Sequence, residues 1–123
     1  MMTGRVNARR EPMLSVTVRG PTGISRTVDA LVDTGFAGEL TLQPSLIRVL
    51  TLPWRSRDYL VLADGSIAWF ETHVADIDWN GGTRRVLVQA IDAQPLIGME
   101  LILNYDLIIR MLVGGPVSIS PIP

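Results

Sequence analysis

A chain of 123 residues that is 47% hydrophobic fits one domain with a modest core, and is short for a two-lobed enzyme. It has no cysteine, and all its basic residues are arginine, which excludes disulfide frameworks, thiolate catalysis, Schiff-base lysines and the P-loop lysine together. A net charge of −1 gives no electrostatic footprint for nucleic acid or an anionic membrane, and the single histidine, His73, builds neither a Ser-His-Asp triad nor a conventional zinc site, so carboxylates are left as the catalytic groups.

Met1 to Pro12 carries three arginines without apolar periodicity and is expected to be a flexible N-terminal arm, followed by one domain over residues 13–123. The arm lacks the apolar core of a secretory signal peptide, and no run approaches the roughly 20 apolar residues of a membrane span. A soluble, cytoplasmic protein with no membrane partner is expected. From Met13, Leu14, Val16 and Val18 alternate with Ser15, Thr17 and Arg19, the period of a half-buried strand. Gly20-Pro21-Thr22-Gly23 then turns the chain, and Ile24 to Asp33 returns as a second strand. Its end, Ala30-Leu31-Val32-Asp33-Thr34-Gly35-Phe36-Ala37-Gly38, is an apolar run that delivers one carboxylate to a glycine-containing turn.

Gly38 to Leu42 predicts another short strand, and Pro44 suits the first turn of a helix over Ser45 to Leu50 that Pro53 stops. Asp58 to Ala63 and Ile67 to Trp79 read as a long hairpin, with Asp64-Gly65 as a two-residue type I′ tip. Asn80-Gly81-Gly82 is a second hairpin signal, leading into a strand over Arg84 to Ile91. Helix formers follow Gly98 from Met99 to Tyr105, and Leu107-Ile108-Ile109 and Val117-Ser118-Ile119 make two last strands around Gly114-Gly115-Pro116. The chain has no internal repeat and no interdomain linker.

The Asp33-Thr34-Gly35 stretch, with Pro95-Leu96-Ile97-Gly98 further on, resembles the paired signatures of the retropepsin-like (clan AA) aspartic proteases. Order and spacing follow that family from about residue 13 to 120. The resemblance implies an all-β fold: a closed retropepsin-like barrel of six or seven strands with one short helix after Gly98. Peptide hydrolysis by carboxylates needs two of them facing one water, one ionised and one protonated. Only one Asp-Thr-Gly is present, so the resemblance implies a homodimer in which each subunit contributes Asp33.

By the same resemblance, Thr34 would hydrogen-bond across the dyad and Gly35 would let the carboxylates approach. Ile97 would lie beside the loop and contact the substrate, and Gly98 would leave room for the strand to cross. Ala63, Asp64 and Gly65 would form a flap over the substrate, with Phe36 also in the binding groove. The expected partner is a peptide or protein substrate, with no metal, no cofactor and no nucleic acid.

The resemblance is closer to bacterial single-domain relatives than to retroviral enzymes: their loop reads similarly to Asp-Thr-Gly-Phe and their flap similarly to Leu-Ala-Asp-Gly-Ser. Phe36 stands where pepsin-like loops carry a hydroxyl that bonds the catalytic carboxylate, and fewer donors to the charged form should leave the dyad less acidic. Taken singly, the features have plainer readings: Asp64-Gly65 as an ordinary hairpin, Leu96-Ile97-Gly98 as a core strand with its cap. Trp54, Trp69, Trp79 and His73 read as packing or surface residues, and Arg84-Arg85 as a solvated strand end. Besides the aspartic endopeptidase, a catalytically weak dimeric module that binds peptides in the same groove and a monomeric barrel with a fortuitous turn fit the sequence.

Overall fold

The computed structural model describes residues 1–123 as a mostly β fold with two short helices. Its elements are β1 (Met2–Val6), β2 (Pro12–Arg19), β3 (Ser25–Val32), β4 (Leu40–Leu42), α1 (Pro44–Leu50), β5 (Trp54–Val61), β6 (Ile67–Trp79), β7 (Gly82–Ala90), β8 (Leu96–Ile97), α2 (Met99–Ile102), β9 (Tyr105–Ile109) and β10 (Pro116–Pro121). All ten strands join one sheet in the order β5-β6-β7-β4-β8-β3-β2-β1-β10-β9, and β6 pairs additionally with β2 through Val18↔Ile77 and Arg19↔Asp76. Ten strands exceed the six or seven of the expected barrel and the eight that the sequence pattern marks; the two unmarked ones, β1 and the two-residue β8, have no hydrophobic period of their own. No helix is long and apolar enough to cross a membrane.

The alternating strands behave as their period dictates. Leu14, Val16 and Val18 of β2 and Ala30 and Val32 of β3 are buried, while Ser15 bonds Asp29 (2.7 Å) and Thr17 bonds Thr27 (2.9 Å) on the outer face. Leu40, Leu42, Ile77, Val86, Val88, Ile97, Leu101, Val117 and Ile119 complete the centre of the core. Each such side chain contributes about 1.5–3 kcal/mol relative to leaving it in water. Helix α1 starts with Pro44 in its first turn, buries Ile47 and Leu50, and ends at Thr51, whose left-handed φ of 49° turns its amide back to Arg48 O and Ile47 O. The stop therefore comes before Pro53, which accepts a bond from the Val74 amide (3.0 Å).

Three expectations are corrected. Met2–Val6 of the expected arm is strand β1, paired with β10 and with the start of β2. Helix α2 stops at Ile102 rather than running to Tyr105, since Leu103 leaves helical geometry and Asn104 takes φ 71°. The tip of the β5–β6 hairpin is not a type I′ turn. Asp64 has no positive φ; Gly65 N bonds Leu62 O (2.9 Å), Leu62 N bonds Ser66 O (2.8 Å), and only Gly65 is left-handed, at 84°. That is a three-residue loop, a regular turn followed by a left-handed residue. The two-residue type I′ geometry occurs instead at Asn80-Gly81, with φ 49° and 82°, between the paired Trp79 and Gly82.

Candidate active site

Strand β3 ends at Val32 lying parallel to β8, with Leu31 opposite Leu96 and Val32 opposite Ile97. The Asp33 amide continues this ladder to Ile97 O (2.9 Å) before the chain turns, closed by Phe36 N to Asp33 O (3.2 Å). Within the turn the Gly35 amide donates to Asp33 Oδ1 (2.8 Å), fixing the half-buried carboxylate, while Thr34 and Gly35 are exposed. A short polar side chain that accepts an amide two residues on is the usual way an aspartate organises its own turn.

The segment after β8 cradles the loop. Gly98 N donates to Glu39 O (2.9 Å), Met99 N to Phe36 O (2.8 Å) and Glu100 N to Gly38 O (3.2 Å). Gly98 has an ordinary extended backbone, φ −103° and ψ 177°, so its role is spatial: a Cβ there would collide with Gly38 O and lie 2.6 Å from Phe36 Cδ2 and 2.8 Å from Phe36 O. The expectation that Gly98 leaves room beside the Asp33 loop describes this contact. Fully buried Thr41 adds a tie sequence reading missed, its Oγ1 accepting the Leu96 amide (2.9 Å).

Two expected substrate contacts are placed differently. Ile97 is fully buried, opposite Val32 and Leu40, so its side chain belongs to the core rather than to a groove. Phe36 is half-buried with its ring against Gly38 and Gly98, where it packs the loop's underside. Asp33, Thr34, Gly35, Phe36 and Ile97 are thus assembled on one loop and its neighbouring strand.

The hairpin approaches this assembly at its base. A groove of about 560 Å3 runs between Ser56, Asp58, Phe70 and Thr72 of the hairpin and Gly38 and Glu39 at the loop's end. Asp58 Oδ2 accepts the Ser56 (2.9 Å) and Thr72 (2.8 Å) hydroxyls on that wall. Ala63, Asp64 and Gly65 are exposed at the tip and do not line this groove. There the Ser66 hydroxyl (2.6 Å) and amide (2.9 Å) donate to Asp64 Oδ1 and hold the Asp64 carboxyl below the usual aspartate range.

Further residues were misjudged from sequence. Arg84, expected at a solvated strand end, donates to Leu101 O (3.0 Å), Glu100 O (3.4 Å) and Glu39 Oε2 (3.4 Å); only Arg85 is largely exposed, meeting Asp76 at 3.2 Å. The remaining Glu39 oxygen accepts the Leu87 amide (3.0 Å). His73 Nδ1 lies 3.0 Å from Leu52 O, a packing role, and no group of three His, Asp or Glu side chains is arranged to hold a metal. No protein-family model matches the chain, and no curated protein matches it.

Proposed function

We propose that the protein is an aspartic endopeptidase of the retropepsin-like type, acting as a homodimer with one Asp33 from each subunit. The observation that carries this reading is the frame around Asp33: a carboxylate at the end of a buried strand, laid parallel to Leu96-Ile97, with Gly98 beneath its loop. The β6–β2 pairing favours the closed-barrel form of the fold, since it returns the ladder β2-β3-β8-β4-β7-β6 to β2. The chain holds one such loop, so two copies supply the two carboxylates.

In the dimer a water lies between the Asp33 carboxylates, which share one proton because like charges about 3 Å apart resist ionising together. The ionised one takes a proton from the water as it attacks the peptide carbonyl. The protonated one donates a hydrogen bond to the carbonyl oxygen, and a proton then passes to the leaving amine. The Gly35 amide on Asp33 Oδ1 orients the carboxylate. The β5–β6 hairpin covers the peptide, and the groove between Asp58, Thr72 and Gly38 receives part of it. Neither metal nor cofactor enters this chemistry.

The test is hydrolysis of a mixed peptide library over a pH series by the wild type and by Asp33→Asn. The amide keeps an oxygen for the Gly35 bond, so the variant should stay folded and dimeric while hydrolysis falls by at least about a thousandfold. Undiminished cleavage by Asp33→Asn refutes the reading. Peptides bound in an Asp33-dependent way but never cut would instead favour the binding module.

A further inference from the structure

We infer that Arg84, acting through Glu39 and two carbonyls of α2, is a positioning residue that holds the Asp33 loop in its working geometry. Its kinetic consequence rests on the protease reading above; its structural consequence rests on hydrogen bonds alone.

Helix α2 has four residues, one turn, too short to hold itself in place. Its position comes from partners at both ends. At its start, the Met99 and Glu100 amides bond Phe36 O and Gly38 O of the Asp33 loop; at its end, the Glu100 and Leu101 carbonyls accept from Arg84. The second Arg84 nitrogen also reaches Glu39, the residue that closes the same loop. The connections form a circuit from the loop to α2, from α2 to Arg84, and from Arg84 through Glu39 back to the loop.

Each member is fixed by something else. Glu39 spends its other oxygen on the Leu87 amide of β7 and its backbone carbonyl on Gly98 N, and its side chain is only 16% exposed. The Arg84 guanidinium stands 5.9 Å from the Trp79 ring centroid, and Trp79 is itself buried edge-on to Tyr105. A planar fork with several donors can meet three acceptors at once, whereas a lysine ammonium on a flexible stem cannot hold the same geometry. Arg85, the next residue, has a side chain 76% exposed that pairs with Asp76, and so provides a matched control.

The experiment compares Arg84→Met, Glu39→Gln and Arg85→Met in the full chain by amide hydrogen exchange and by peptide kinetics. Exchange at the Asp33, Phe36, Met99 and Glu100 amides should rise at least about tenfold in Arg84→Met, with the β2 and β3 amides unchanged. Loss of sub-ångström alignment should lower kcat roughly 10- to 100-fold at nearly constant KM. Arg85→Met should match the wild type in both. Glu39→Gln keeps an oxygen for Leu87 and should move the same readouts in the same direction; if Arg84→Met does not fold, this variant decides. A uniform rise in exchange across the sheet, unchanged loop exchange, or a KM effect at constant kcat would each overturn the inference. If the wild type hydrolyses nothing, the protease reading falls, while loop exchange still decides whether Arg84 positions the loop.

Discussion

Replacing Gly98 with alanine adds one methyl group at the tightest point of the site. The backbone there is ordinary, so no dihedral strain enters, and the whole effect is collision. The new Cβ would meet Gly38 O, Phe36 O and Phe36 Cδ2, and two of these are backbone atoms held by the Glu100 and Met99 amides. A flexible side-chain tip could swing aside, but these carbonyls cannot move without breaking the bonds that fix the loop. Overpacking a rigid site costs about 3 kcal/mol or more, a large share of the roughly 5–15 kcal/mol that a domain possesses. For a chain of this size the melting temperature should fall by roughly 10 °C. Urea denaturation with an unchanged slope measures the loss, and peptide hydrolysis on the same preparation should fall with it. A Gly98→Ala variant within about 0.5 kcal/mol of the wild type would refute the reasoning, because it would mean that the loop does not rest on this residue.

At the hairpin tip the physics is reversed: Gly65 has φ 84° and open space around it, so Gly65→Val strains only the turn. Stability should drop by roughly 1–2 kcal/mol while KM and kcat both worsen, and unchanged kinetics would remove the flap role. Thr41→Val keeps the shape of a fully buried side chain but strips the Leu96 amide of its acceptor, for a loss of about 1–3 kcal/mol in urea titration; Thr41→Ser should retain most of it. Ser66→Ala should let the Asp64 carboxyl rise toward the usual aspartate range in an NMR titration. Since the folded carboxyl is lowered, the Ser66 bonds contribute fully above the usual range and are lost as pH falls through the lowered value.

The β2–β3 hairpin and α1 were legible because their signals are local: a period of two, and a proline opening an amphipathic turn. The two Gly-containing tips show where local signals fail. Asp64-Gly65 and Asn80-Gly81 look alike as dipeptides, yet Ser66 offers two donors to Asp64, and the former closes as a three-residue loop. Strand β1 escaped notice because Gly4, on its inward side, lies against the Met13 backbone where no side chain fits, leaving a gap in the pattern. At the site, the Asp33 loop and Gly98 could be read from their motifs. The substrate roles given to Ile97 and Phe36 could not be tested by type alone, since apolar side chains suit a groove and a core equally. Glu39, Thr41 and Arg84 were invisible because their partners lie far along the chain and meet only through strand pairing.

The Asp33 amide bonds Ile97 O, and its loop rests on the residues that follow. During synthesis, therefore, the carboxylate emerges long before the strand that frames it. Early hairpins such as β2–β3 can close by short-range contacts, whereas the β3–β8 pair must wait for a large loop to close, the slow kind of step in β-rich folding. The order has a protective side. A nascent or truncated chain that stops short of Leu96 carries Asp33 on an unsupported strand end, so the loop reaches its final geometry only when nearly the whole domain is present to be folded around it.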